Sequence, residues 1–268
     1  MSAVNLDAQT IKAQRLGQRP LEGLNAVVTG GSRGIGQATA QVLAEQGANV
    51  NVAVSQSFEE AEQTCRHLQT LEVDSFASLC DVADEEAVEQ LFGRVVQRWG
   101  GVDILINNAG IVHNAAAEDM TLASWRRMID VNLTGVFLCA QAAGRAMITQ
   151  RKGGAIINVS SICAHIVVSP QKQCHYNAAK GGVTMLTKSL AAEWAPHNIR
   201  VNSVAPGYVG TKLVAQMHEL HPAWQGQTPM GRLAEPEEIA EVIAFMAGPK
   251  ASFVTGSDWV ADGGYLCW

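Results

Sequence analysis

Asn25-Ala26-Val27-Val28-Thr29-Gly30-Gly31-Ser32-Arg33-Gly34-Ile35-Gly36 is the stretch that decides the fold. Its first five residues have the apolar, β-branched centre of a short buried strand, and they run directly into a glycine-rich turn. Gln37–Gln46 then shows helical periodicity and stops at Gly47. Between a strand and a helix, glycines at 30, 34 and 36 let the chain turn tightly. They also let a pyrophosphate approach the free amides of the helix N-terminus. A nucleotide-binding βα unit is therefore expected here.

The same alternation continues outward. Strands are expected at Asn49–Val54, Val73–Leu79, Asp103–Ile106, Ala155–Ser160, Ile199–Val204 and Phe253–Val260. Helices are expected at Phe58–Thr70, Asp84–Trp99 and Thr121–Thr149, at Ala178–Trp194 up to Pro196, and from Glu235-Pro236 onward. Strands that read as near-continuous Val/Ile/Leu are buried on both faces. The pattern predicts an α/β fold, a Rossmann-type doubly wound parallel sheet of about seven strands covered on both sides, in a single domain. Residues 1–21 read as an N-terminal extension and 22–268 as the domain. A connection at about 207–231, with little periodicity, reads as a substrate loop at the carboxyl ends of the strands.

Composition bounds the function. A chain of 268 residues with 47% hydrophobic and 16% charged residues suits one soluble α/β domain. A net charge of −6 and the lack of a dense Lys/Arg run argue against nucleic acid. The first twenty residues lack the apolar stretch of a signal peptide, and no membrane association is expected. The six cysteines (65, 80, 139, 163, 174, 267) show neither C-x-x-C nor zinc spacing, so they read as reduced, mostly buried thiols of a cytoplasmic protein. The histidines show no ligand spacing either, so no catalytic metal is expected.

Tyr176-Asn177-Ala178-Ala179-Lys180 heads the helix after the fifth strand. Spacing of four puts phenol and ammonium on one helical face, about 6 Å apart along the axis. A neighbouring positive charge favours phenolate, so the pair reads as a tyrosine tuned for proton exchange with an alcohol oxygen.

Taken together, Thr29-Gly30-x-x-x-Gly34-x-Gly36, Asp81-Val82, Asn107-Asn108-Ala109-Gly110, Asn132, Ser160-Ser161, Tyr176-x-x-x-Lys180 and Pro206-Gly207 occur in the order and approximate spacing of the short-chain dehydrogenase/reductase family. The chain resembles that family from about residue 22 onward. The resemblance implies that Tyr176 is the catalytic acid/base. Lys180 would lower its pKa and bind the nicotinamide ribose, Ser161 would hold the substrate oxygen, and Asn132 would hold a water on Lys180. It further implies a cofactor site formed by Gly30, Ser32, Arg33, Gly34, Ile35 and Gly36, with Ser55 at the second strand and Asp81 and Val82 at the adenine. Asn108, Ala109 and Gly110 would line the cleft, and Pro206, Gly207, Val209 and Thr211 would lie at the nicotinamide end.

Many members place the serine thirteen residues before the tyrosine, which would select Cys163. A subgroup acting on polyols and ketoses places it fifteen before and follows it with an apolar stretch and Pro-Gln. Ser161 through Pro170-Gln171 fits the longer version, with Cys163 and Ala164 as departures next to the serine. At the end of the second strand stands Val54, flanked by Ala53 and Ser55, where an NAD enzyme usually carries an acid. With Arg33 available to a 2′-phosphate, NADP(H) is favoured and NAD(H) is the alternative.

The expected function is interconversion of a secondary alcohol and a ketone, on a polyol or ketose. The alternatives are reduction of non-sugar ketones or of 3-oxoacyl thioesters, and least a non-catalytic nucleotide-binding regulator. His113, His165, His221 and Trp224 are candidates for a polar pocket, against a bland reading as surface or packing residues. The resemblance further implies a homotetramer, with the apolar tail Gly264–Trp268 in an interface, and leaves room for a structural Mg²⁺ on the Trp268 carboxylate.

Overall fold

The computed structural model describes residues 19–267; residues 1–18 of the expected extension, and Trp268 with its carboxylate, lie outside them. Seven strands form one sheet: β1 (Asn25–Thr29), β2 (Asn49–Val54), β3 (Ser75–Leu79), β4 (Ile104–Asn107), β5 (Gly154–Val159), β6 (Ile199–Pro206) and β7 (Asp258–Ala261). Their order is β3-β2-β1-β4-β5-β6-β7, and all six pairings are parallel. The order reverses between β1 and β4, and open α/β sheets bind ligands in the crevice at such a switch point.

The helices are α1 (Gly34–Glu45), α2 (Phe58–Gln69), α3 (Glu85–Trp99), α4 (Leu122–Ile129), α5 (Gly135–Gln150), α6 (Cys174–Trp194), α7 (Lys212–Ala215), α8 (His221–Gln227) and α9 (Pro236–Ala247). Alternation along each strand sends neighbours to opposite faces. Val28, Val52, Ile106, Ile157 and Val204 face one core with Leu43 of α1, Leu68 of α2 and Ile239 and Ile243 of α9. Val27, Ala53, Leu105, Ile156 and Val201 face the other, with Leu91 of α3, Met147 of α5 and Leu190 of α6. Leu21 is fully buried in the first core and donates its N–H to the Gln46 carbonyl, so packing reaches slightly ahead of the boundary expected at residue 22.

Local signals behave as the residue chemistry requires. Asp84 caps α3, its carboxylate accepting from the N–H groups of Glu86 and Ala87. Glu235 and Glu238 form a capping box around Pro236 at the start of α9. The long helix expected over 121–149 is present but is divided by a π-type turn, Asp130–Thr134. The run Leu122–Gln150 is long and apolar enough to cross a membrane by length and composition, and half of its most apolar window is buried in the protein.

Two expectations are corrected. The last strand begins at Asp258, not at residue 253: Phe253 is fully exposed and Gly256 turns with φ +70°. The loop at 207–231 is not structureless, since α7 and α8 lie within it, α8 anchored by the buried Trp224.

Candidate active site

The site forms where β5 and α6 meet. Ser160 continues β5 and donates its N–H to the Val204 carbonyl at 2.7 Å, which keeps the exit of the strand on β6. Ser161 is extended and starts a tight turn, Ile162–Ala164, with its Oγ accepting the Cys163 N–H at 3.1 Å. On α6, Lys180 is one turn after Tyr176, its Nζ 5.6 Å from the centre of the Tyr176 ring. That Nζ donates to the Val159 carbonyl at 2.7 Å. A buried chain of bonds fixes helix to sheet: Asn107 Nδ2 donates to Asn158 Oδ1, Asn158 Nδ2 to Thr187 Oγ1, and Thr187 to the Val183 carbonyl. Asn158 immediately precedes the carbonyl that holds Lys180, so this chain sets where the ammonium sits.

Electrostatics correct one expectation. Burial pushes Lys180 down to about 8, with only the nearby Cys163 thiol opposing it. Burial also pushes the Tyr176 phenol up, and the Cys163 thiol adds to the push, while hydrogen bonding with the Ser161 hydroxyl works against it. Tyr176 is only half-buried, so the protein atoms crowding the ring, and not complete sealing from water, cause the rise. The ammonium is directed at Val159, and its charge does not bring the phenol down in this arrangement. At neutral pH the pair is a protonated phenol beside a mostly protonated amine.

Among the catalytic residues of the sequence reading, Ser161, Tyr176 and Lys180 are brought together. Asn132 lies in the π-type turn and is fully buried. Its Oδ1 accepts from the Ile111 N–H at 3.2 Å, and its Nδ2 donates to the carbonyls of Ile111 at 3.0 Å and Met128 at 3.1 Å. The side chain therefore braces the segment after β4. Such π-type insertions recur at functional sites.

The glycine turn has the expected shape. Gly34 has φ +53°, and a Cβ on Gly36 would stand 2.3 Å from the Gly30 carbonyl oxygen, so neither position takes a side chain without strain. Thr29, which the sequence reading left outside the site, organises the neighbourhood: its Oγ1 accepts from the N–H groups of Asn108 and Ala109. Asn108 Nδ2 donates to the carbonyls of Thr29 and Gly30, each at 3.0 Å, so this side chain supports the turn itself. Gly110 lies against Asn132, where a Cβ would stand 2.7 Å from Oδ1.

Gly30 N–H donates to the Ala53 carbonyl, which sets the turn beside the end of β2. Ser32 is buried, whereas Arg33 and Ser55 are exposed. Neither of those last two side chains makes a hydrogen bond or ion pair among the described residues. Asp81 is paired with Arg127 at 2.9 Å, and Val82 is buried against Gly135. Pro206 ends β6, Gly207 approaches Asp262, Val209 is buried, and Thr211 caps α7 with its methyl beside Gly34.

The four pocket candidates go to other partners. His113 Nε2 lies 3.1 Å from Nε2 of the buried His175 and 2.6 Å from Ser124 Oγ. His165 pairs with Asp258, and His221 with the Val214 carbonyl. Trp224 is buried and stacked on Tyr208 at 4.1 Å, with Tyr265 edge-on to Tyr208. Gln171 lies beside these rings; with its amide reoriented, its oxygen accepts the Trp224 indole N–H at 3.0 Å. Gln173 donates to Cys163 Sγ at 3.1 Å. The sequence reading did not single out Tyr208 or Gln173 and placed Tyr265 only in the apolar tail; the Pro-Gln signature was a pointer to this wall. Among the described residues no group of three or more His, Cys, Asp or Glu side chains is placed to hold a metal ion.

A switch-point crevice with a glycine turn, and a Ser, Tyr and Lys set at the end of β5, define an oxidoreductase that uses a nicotinamide cofactor. Residues 30–266 match the family model described as enoyl-(acyl carrier protein) reductase, and the chain belongs to the short-chain dehydrogenase/reductase family, whose members act on CH–OH groups with NAD(P)(H). It is 43% identical over 252 residues to galactitol 2-dehydrogenase of Rhizobium johnstonii, covering 92% of this chain and 97% of that one. It is 42% identical over 241 residues to the 3-oxoacyl-[acyl-carrier-protein] reductase of Staphylococcus aureus, covering 90% and 97%. A crystal structure of a short-chain type dehydrogenase/reductase from Mycobacterium marinum superimposes with a TM-score of 0.91 at 41% identity, covering 95% of this chain and all of that one.

Proposed function

We propose that this enzyme interconverts a polyol and a ketose, with NADP(H) preferred and Tyr176 as the proton carrier. One observation carries the mechanism: the Ser161 hydroxyl, the Tyr176 phenol and the Lys180 ammonium converge at the carboxyl end of β5. The crevice beside them suits a dinucleotide, because Gly36 lets the start of α1 pack against the Gly30 carbonyl, which a Cβ would strike at 2.3 Å, and the end of β2 presents no carboxylate. Gly30 to Gly36 would hold the pyrophosphate, Arg33 and Ser55 a 2′-phosphate, Asp81 and Val82 the adenine, and Lys180 the nicotinamide ribose. When bound, the cofactor supplies or accepts the hydride.

Ser161 donates a hydrogen bond to the substrate oxygen, keeping its proton, and fixes the carbonyl in place. In reduction, Tyr176 gives its phenolic proton to that oxygen as it gains an electron pair; in oxidation, phenolate takes the alcohol proton. A phenol held high is already in its donating form at neutral pH. Asn132 braces the cleft through Ile111, and the water-holding role suggested by the family resemblance would be additional to that.

The polyol or ketose reading rests on the Ser161-to-Gln171 connection, on the galactitol 2-dehydrogenase relative, and on the amides of Gln171 and Gln173 beside the site. The 3-oxoacyl reductase relative keeps a thioester substrate as the second reading. Against it, Lys212 is the one Lys or Arg in 207–231, and neighbouring Arg232 is committed to Glu238. Assembly is proposed as a homotetramer. Leu122, Trp125, Phe137 and Met185 on the α4–α6 face, and Phe245, Trp259 and Val260 at the β7 edge, are apolar and exposed.

Tyr176→Phe is the test of mechanism: turnover should vanish while NADPH still binds, and turnover comparable to the parent would sink the reading. Ketoses, polyols, diketones and acetoacetyl thioesters assayed with both cofactors separate the substrate classes.

A further inference from the structure

We infer that His165 and Asp258 are a positioning pair that fixes Ser161 relative to the helix carrying Tyr176 and Lys180. The inference rests on the catalytic reading above. Asp258 begins β7, far in sequence from the site, yet its carboxylate is 8% exposed and takes three bonds. Ser203 Oγ of β6 donates to Oδ1 at 2.6 Å. His165 Nε2 and Thr184 Oγ1 share Oδ2, at 2.8 Å and 3.3 Å. Thr184 is one helical turn beyond Lys180, and its Oγ1 lies 3.1 Å from Ser160 Oγ.

The protons can be placed. Ser203 and Thr184 donate to this carboxylate, and the Nε2–H tautomer of His165 would donate to it as well. Thr184 gives its one hydroxyl proton to Asp258, and Ser160, whose hydroxyl also lies 3.4 Å from the Lys180 carbonyl, is left to donate in the Ser160–Thr184 bond. The bonds run from Ser160 through Thr184 to Asp258, and from His165 to Asp258. The remaining arc is the backbone from His165 to Ser161, tightened by Ala164 N–H to the Ser161 carbonyl and His165 N–H to the Ile162 carbonyl, each at 2.9 Å. The ring therefore closes around Ser161: the residue before it is tied to α6, and the residue four after it is tied to β7 and, through Thr184, to α6 again. A hydroxyl that must meet both the substrate oxygen and the Tyr176 phenol depends on such placement, since a shift of about 1 Å can cost a hundredfold in rate.

The test compares His165→Leu, His165→Gln, Asp258→Asn and Tyr176→Phe, assayed with NADPH and whichever ketone of the panel the parent reduces. Leucine keeps the bulk and loses the donor, whereas the glutamine amide can place a donor near the Nε2 position. His165→Leu should lower kcat at least tenfold with KM for NADPH within twofold of the parent, and His165→Gln should recover at least half of the parental kcat. Asp258→Asn should resemble His165→Leu, and the double variant should be no worse than either single one, because both break the same ring. If Tyr176→Phe is inactive while His165→Leu keeps its kcat within twofold, this inference alone fails. It also fails if glutamine is as poor as leucine, or if the KM for NADPH rises in step with the fall in kcat. A Tyr176→Phe variant that stays active overturns the catalytic reading and this inference with it.

Discussion

Lys180→Met should make the protein more stable and inactive together. The ammonium is buried at 5% exposure, and its pKa is held at about 8 against an ordinary 10.5. At about 1.4 kcal/mol per unit, keeping that charge inside costs the folded state on the order of 3 kcal/mol at pH 7 relative to the unfolded chain. Methionine is of similar length and carries no charge to desolvate. Its substitution also deletes the bond to the Val159 carbonyl, a loss of roughly 1 kcal/mol. The net expectation is a gain of about 2 kcal/mol at pH 7.

The pH dependence makes the reasoning sharper. Between about pH 8 and 10.5 the unfolded parent holds more protons than the folded parent, so the stability of the parent rises with pH across that window. The variant lacks this group, and its advantage should shrink from pH 7 to pH 10.5 and end as a small deficit. Urea unfolding of both proteins at pH 7, 9 and 10.5, extrapolated linearly, reads the difference directly. A variant less stable than the parent at pH 7, or an advantage that does not diminish with pH, would refute the argument. Turnover close to that of the parent would show that the ammonium has no part in catalysis.

The serine assignment is checked by Ser161→Ala, which should lose several orders of magnitude in kcat, against Cys163→Ala, which should shift substrate preference more than rate; the reverse pattern would select the shorter spacing. Arg33→Ala should raise KM for NADPH on the order of tenfold or more and leave NADH nearly unaffected, since a charge-assisted bond contributes about 1.5–3 kcal/mol. Equal effects on the two cofactors would make Arg33 a plain surface charge. Gly36→Ala should abolish binding of either cofactor, because the new methyl meets the Gly30 carbonyl, which is backbone and cannot move aside; tight binding by a folded variant would show that the turn is not the cradle.

Much of the fold was legible because its strands are buried on both faces and read as unbroken apolar runs. Val27 and Val28 belong to opposite cores, and no alternation was needed to find them. The glycine turn was legible for a different reason, as its residues are constrained by backbone conformation and by approach distance, and both leave a mark on residue type. Position 253 misled because Phe253-Val254 has the β-rich composition of a strand while the chain turns there, with Phe253 exposed and the Val254 carbonyl receiving Asn202. The tyrosine pKa misled because spacing on a helix gives proximity but not burial. Desolvation and the pull of the Val159 carbonyl depend on where the helix lies on the sheet. The partner of His165 lies 93 residues away in sequence, and nothing local to either residue announces the other.

The asparagines around the site share one physical function. A fold that buries an ammionium-bearing helix beside a strand end must hold it there against the cost of that charge. Apolar packing resists separation, yet it fixes direction less sharply than hydrogen bonds do. Asparagine side chains carry donors and an acceptor on a short stem, and here they are used where two segments must keep a definite offset. Asn107 and Asn158 tie β4 and β5 to α6, Asn108 ties the segment after β4 to the glycine turn, and Asn132 ties that segment to the π-type turn. Each is buried or nearly so with its amide bonded, so its desolvation is compensated and its geometry is narrow. On this view the catalytic set is precise because bonds distant in sequence surround it, and the partners of those bonds, which residue type alone does not name, are what aim it.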